Sequence, residues 1–273
     1  MMTKTYVITG ASSGIGNALV RELSQDSVVY AGYRSEAKRK ELEEISSNVI
    51  PFYVDYALPE TIANAVNTIK TTCKKIDTII NIAGCVVAGP VEKISIDEIR
   101  RQFNVNVFGH IELMQGLVDL LENGKIINVS SMASYGLFPF ISPYCASKRC
   151  LDMFFNSFLI ENKRNIKVVS VKPGVISTPL WGKSVKENTE VLQDCSGYEA
   201  EMNFILSNAQ KNEKKGLSVD NVVKVILKAD KMAKPHLTYT VGKDAFMAHL
   251  LSKLPQRLVN SLIKTGLSLR MKK

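Results

Sequence analysis

Short runs of apolar and β-branched residues recur along the chain, each followed by a longer segment whose apolar positions return every three or four residues. The runs Lys4–Thr9, Val28–Tyr33, Val49–Val54, Thr78–Asn81, Lys125–Ser130, Lys167–Lys172 and Thr238–Val241 predict strands. Several are apolar throughout, as suits strands covered on both faces. Helices are predicted between them at about 14–25, 36–46, 59–73, 97–122, 143–163 and 218–230. Strand and helix in alternation predict an α/β fold with a doubly wound parallel sheet. No repeat, low-complexity tract or linker divides the chain, so 1–273 reads as a single domain.

The first predicted strand ends in Thr9-Gly10-Ala11-Ser12-Ser13-Gly14-Ile15-Gly16, and an amphipathic helix carrying Leu19, Val20 and Leu23 follows. Glycines at such a junction let the backbone turn sharply and approach a pyrophosphate, which the free N–H groups of the helix N-terminus stabilise. The spacing is G-x-x-x-G-x-G, not the commoner G-x-G-x-x-G, and a tight turn needing positive φ is the alternative reading. Its place in the first strand–helix unit favours a dinucleotide and a Rossmann-like sheet. After the second strand comes Tyr33-Arg34-Ser35, with no acid to take a ribose hydroxyl. Arg34 offers a fork to a 2′-phosphate, which favours NADP(H) over NAD(H), although a solvated strand-end arginine is equally ordinary.

Composition narrows the class. The hydrophobic content of 45% over 273 residues can fill one large core. No stretch approaches the roughly 18 apolar residues of a spanning helix. The early strand leaves no room for a secretory signal, which predicts a cytoplasmic protein. Five cysteines without a C-x-x-C pair suggest reduced thiols, and none of the three histidines has a metal-like partner. The net charge of +9 is not spread evenly. Between Lys231 and Lys273 nine basic residues face a single acid, Asp244, a net +8 that leaves the rest of the chain at +1. A neutral body with a basic extension at about 231–273 argues for an acidic surface near that extension and against general nucleic-acid binding.

Tyr144 and Lys148 stand four apart at the start of a predicted helix, so both can face one cleft. A cation beside a phenol favours phenolate and draws its pKa down. Alone, this spacing is an ordinary amphipathic pair. With Thr9–Gly16, Asp55, Asn81-Ile82-Ala83-Gly84, Asn106, Ser131 and Pro173-Gly174 followed by Thr178, the chain resembles the short-chain dehydrogenase/reductase family from residue 4 to about 180. The resemblance implies that Ser131 binds the substrate oxygen and Tyr144 exchanges its proton. It implies that Lys148 holds the nicotinamide ribose, and that Asn106 positions a water in a proton relay. Gly10, Ser12, Ser13, Gly14, Ile15 and Gly16 would cradle the cofactor, with Asp55 at the adenine and Asn81, Ala83 and Gly84 along the cleft. Pro173, Gly174 and Thr178 would close the nicotinamide end. Ile82 stands where the family often has a second Asn, and Ser13 where some NADP-binding members have a second base. For Asn81 a role inside the sheet is the alternative, and for Asn106 a structural polar contact within its helix.

In the family the segment at about 178–216 caps the substrate pocket. Here it holds Trp181, Leu192, Tyr198, Met202, Phe204 and Leu206, which are equally readable as a lid's own core; with Val86, Leu137, Phe138 and Phe140 they point to a small lipophilic alcohol or ketone such as a steroid, retinoid or long-chain acyl derivative. The extension carries Phe246, Leu250, Leu251, Leu254, Leu258, Leu262, Ile263, Leu267 and Leu269 at helical spacing among bases. Such a face suits an anionic membrane interface, or packing on the body or on another subunit. The family resemblance implies a homo-oligomer, a dimer or tetramer, through the helices at 97–122 and 143–163. A 3-oxoacyl thioester reductase and a catalytically silent NADP-sensing regulator are the competing functions.

Overall fold

A computed structural model describes residues 3–180, 182, 184 and 195–271. Its strands are β1 (Thr5–Ile8), β2 (Val28–Tyr33), β3 (Val49–Tyr53), β4 (Thr78–Asn81), β5 (Lys125–Val129), β6 (Lys167–Pro173) and β7 (Thr238–Val241). All pair in parallel, in the order β3-β2-β1-β4-β5-β6-β7. Pro51, which cannot donate to a ladder, lies in the edge strand β3. Helices α1 (Gly14–Leu23), α2 (Glu36–Glu43), α3 (Pro59–Thr72), α4 (Ile96–Phe103), α5 (Gly109–Leu117), α6 (Ser142–Glu161), α7 (Glu199–Lys215), α8 (Val219–Lys231), α9 (Lys243–Leu251) and α10 (Gln256–Met271) complete the order.

Successive strand residues point to opposite faces, so each apolar strand feeds two cores. Ile8, Ile80, Ile127 and Val169 pack against Leu19, Val20, Val222 and Ile226 of α1 and α8. Their neighbours Val7, Ile79, Ile126 and Val168 pack on the other side with Ile62, Ile69, Leu113, Leu151 and Phe155 of α3, α5 and α6. After β3 the chain crosses to β4 on the far side of β1, which makes the carboxyl ends of β1 and β4 the switch point where a ligand crevice opens.

Three segments differ from the sequence reading. The helix expected at 97–122 is interrupted: a π-helical turn, Asn104–Phe108, separates α4 from α5. The segment around 178–216 contains a regular helix, α7, while Trp181 and Leu192 lie outside the described residues. The extension holds β7 and then two helices, α9 and α10, with the break between them at Pro255, which has no N–H to continue α9. Among the described residues no helix is long and apolar enough to cross a membrane.

A buried polar knot secures the amino ends of the strands, opposite the crevice. Asp230 at the end of α8 accepts from Lys4 Nζ (2.8 Å), Tyr6 OH (2.8 Å) and Thr78 Oγ1 (2.6 Å).

Candidate active site

The turn after β1 is shaped by its glycines. Gly10 and Gly14 hold φ of +64° and +53°, and a Cβ on Gly10 would meet the Ala83 amide nitrogen at 2.9 Å. A Cβ on Gly16 would run into the Gly10 carbonyl oxygen, so the turn closes only with glycine there. Buried Thr9 pins the neighbouring loop, its Oγ1 accepting from Ile82 N (3.0 Å) and Ala83 N (3.3 Å). A cavity of about 390 Å³ runs from this turn across the carboxyl ends of the strands. Gly10, Ser12, Ser13, Gly14 and Ile15 form its middle, Arg34 and Asp55 one end, and Ser131, Tyr144, Lys148, Pro173, Gly174 and Thr178 the other. Ala83 and Gly84 also line it.

Tyr144 and Lys148 enter on the first turns of α6, where Pro143 fits because its missing N–H has no helical partner anyway. Lys148 Nζ donates to the Val129 carbonyl at 3.1 Å and stands 5.9 Å from the centre of the Tyr144 ring. Ser131 is fixed by its own side chain, Oγ accepting from Ala133 N at 3.1 Å. Burial raises the Tyr144 pKa to about 12, against a smaller lowering by a hydrogen bond with Ser131. The expected drop in the tyrosine pKa is therefore absent here: desolvation of the phenolate outweighs every favourable contact. Burial also pushes Lys148 down, to about 8, with the Asp152 carboxylate opposing it. At neutral pH the pair is thus a neutral phenol beside a cation.

Asn106 lies in the π-helical turn, fully buried. Its Oδ1 accepts from Cys85 N at 2.9 Å, and its Nδ2 donates to Cys85 O and Ser147 Oγ, both at 3.0 Å. The side chain clamps the loop after β4 to α6, and a local widening of the helix aims it there. Asn81, Gly16 and Asn106 do not line the cavity; Asn106 meets it through Cys85, so here it is a structural contact and not a wall residue. Asn81 Nδ2 donates to Asn128 Oδ1 at 2.8 Å between paired strands, the role inside the sheet. Sequence reasoning missed Cys85, Met132, Ile141 and Leu180 on the wall, residues with no chemical signature that only packing brings there.

A positive-φ glycine turn over a helix N-terminus, a long cleft at the switch point and a tyrosine–lysine–serine cluster at one end therefore share one cavity. The short chain dehydrogenase family model matches residues 4–189. The chain is a member of that family. It is 29% identical to the NADPH-dependent 3-dehydrocapnine reductase of Ornithobacterium rhinotracheale, over 94% of each protein. It is 28% identical to retinol dehydrogenase 8 of Bos taurus, over 86% of this chain and 80% of that one. The fold is shared with a short chain dehydrogenase from Burkholderia cenocepacia solved in complex with NADP, at a TM-score of 0.73 and 22% identity over 96% and 97% of the two chains. This short-chain dehydrogenase is accordingly an oxidoreductase whose cofactor is NAD(P), and the glycine turn and cleft fit that group.

Proposed function

We propose that the protein uses NADPH to reduce a lipophilic ketone or aldehyde to the alcohol, and catalyses the reverse with NADP. The observation that carries this reading is the meeting of Ser131, Tyr144 and Lys148 at the apolar end of the cleft. Bound there, the nicotinamide supplies or accepts the hydride. Ser131 holds the substrate oxygen, and Tyr144, protonated at neutral pH, gives its proton to that oxygen as negative charge develops on it. Lys148 stabilises the phenolate left behind and holds the nicotinamide ribose. Asn106 fixes the Cys85 loop against this group and, by the family's pattern, the relay water. Gly10–Gly16 take the pyrophosphate, Arg34 the 2′-phosphate and Asp55 the adenine; Ala83, Gly84, Pro173, Gly174 and Thr178 enclose the rest.

A lipophilic substrate is supported by the cluster of Val86, Phe138, Ile141 and Leu180 around Tyr144, and by the retinol named for one relative. The exposed apolar residues Phe246, Met247, Leu250, Leu254, Leu258 and Leu262 lie among Lys243, Lys253, Arg257 and Lys264, which supports contact of α9 and α10 with an anionic membrane surface. Exposed Phe108, Met153 and Phe154 support a homo-oligomer through the π-helical turn before α5 and through α6.

The test follows NADPH absorbance with ketones, aldehydes and 3-oxoacyl thioesters in turn. Turnover of hydrophobic ketones or aldehydes, abolished in Tyr144→Phe with NADPH binding nearly intact, is the expected result. Activity confined to thioesters favours an acyl reductase, and tight NADPH binding without turnover favours a regulator. An active Tyr144→Phe overturns the mechanism.

A further inference from the structure

Behind the cluster lies a buried ion pair that this reaction does not use. Asp152 sits on α6 one turn past Lys148 and is 3% exposed; Lys172, 8% exposed, ends β6 next to Pro173. Lys172 Nζ stands 2.7 Å from Asp152 Oδ2, and Ser170 Oγ donates to Oδ1 at 3.1 Å. The same Nζ lies 4.4 Å above the centre of the Tyr135 ring, in the turn that follows Ser131. Tyr135 in turn bonds Thr240 Oγ1 at 2.6 Å and packs at a tilt against His249 of α9, ring centres 4.6 Å apart.

Burying two charges is costly, and an apolar pair of equal volume often serves stability as well. The location of this pair supplies a role beyond stability. It ties together the three segments that carry the site: α6 with Tyr144 and Lys148, the end of β6 leading into Pro173-Gly174, and the turn after Ser131. Around Lys148 stand Tyr144 and Asp152 on its own helix, Cys85 after β4, Asn106 and His110 from the π-helical turn and α5, and the Val129 carbonyl of β5. Asp152 is the carboxylate in that set, one helical turn from Lys148 on the same face of α6, and its charge opposes the downward push of burial on the lysine.

We propose that Asp152 is a positioning residue for the reaction: locked to Lys172, it fixes α6 against β6 and supplies the negative charge that keeps Lys148 cationic. The proposal rests on the reading of Tyr144 and Lys148 given above.

Asp152→Asn tests it, since the amide keeps the volume and an acceptor for Ser170. Lys148 is titrated by NMR in lysine-labelled, cofactor-free protein, its signal assigned by its loss in Lys148→Arg. The expected midpoint falls by about one pH unit, tenfold in the protonation equilibrium, and the alkaline limb of kcat/KM moves to lower pH by the same amount. An unmoved midpoint overturns the proposal. So does a kcat lowered equally at every pH with the limb in place, the mark of a purely structural role. Should Asp152→Asn fail to fold, Lys172→Met leaves the carboxylate without its neighbouring cation. Its Lys148 midpoint is then expected to rise, and a wild-type midpoint again overturns the idea. If Tyr144→Phe keeps activity, the catalytic reading fails while the Lys148 titration still reports on Asp152.

Discussion

His110 makes stability depend on pH through one buried ring. It packs in α5 against Tyr56, ring centres 4.8 Å apart, and its Nε2–H donates to the Ala83 carbonyl at 2.9 Å. Burial, followed by repulsion from Lys148, pushes its pKa from 6.5 down to about 3. The folded protein keeps the ring neutral in mild acid, whereas the unfolded chain takes up a proton as the pH falls through its ordinary value. Because the unfolded state binds the proton first, stability declines below about pH 6.5 and levels off below the folded value. Integrated from pH 7 to pH 5, the loss is about 2 kcal/mol. His110→Gln can still donate to Ala83 and cannot titrate. Denaturant unfolding of both proteins at the two pH values isolates the difference: the wild type should lose about 2 kcal/mol more than the variant over that interval. Equal losses would refute the burial argument, whatever the variant's stability at pH 7.

Three further outcomes are expected. Arg34→Ser removes the fork facing the adenosine end, so the ratio of kcat/KM for NADPH to that for NADH should fall about tenfold or more, roughly one charge-assisted contact; an unchanged ratio removes Arg34 from cofactor choice. Gly16→Ala forces a Cβ against the Gly10 carbonyl and opens the turn, so NADPH affinity measured by fluorescence should drop at least about tenfold while the far-UV spectrum stays folded. For the extension, flotation with anionic vesicles at low salt should carry the protein upward, and added salt or neutral lipid should release it. Protein that stays at the bottom under all conditions excludes the membrane contact.

The alternation of strand and helix was legible because each half of it is local. Side chains on a strand repeat every two residues and on a helix every 3.6, and a fully covered strand such as Val28–Tyr33 is apolar throughout. All seven strands accordingly lie where the pattern placed them, within a residue or so. The turn from Gly10 to Gly16 was legible for the same reason, since positive φ and close backbone approach leave glycine as the residue that fits. Tyr144 and Lys148 share a face by helical geometry alone. What tertiary structure decided are the contacts between distant parts of the chain. Asn81 meets Asn128 inside the sheet, and the π-helical turn exists to bring Asn106 to Cys85. The tyrosine's raised pKa comes from the walls around it, not from the lysine four residues on. Asp152 and Lys172 carry no sign of each other in sequence. Only the packing of α6 on β6 makes them a pair, because burial and charge are properties of surroundings that no single segment contains.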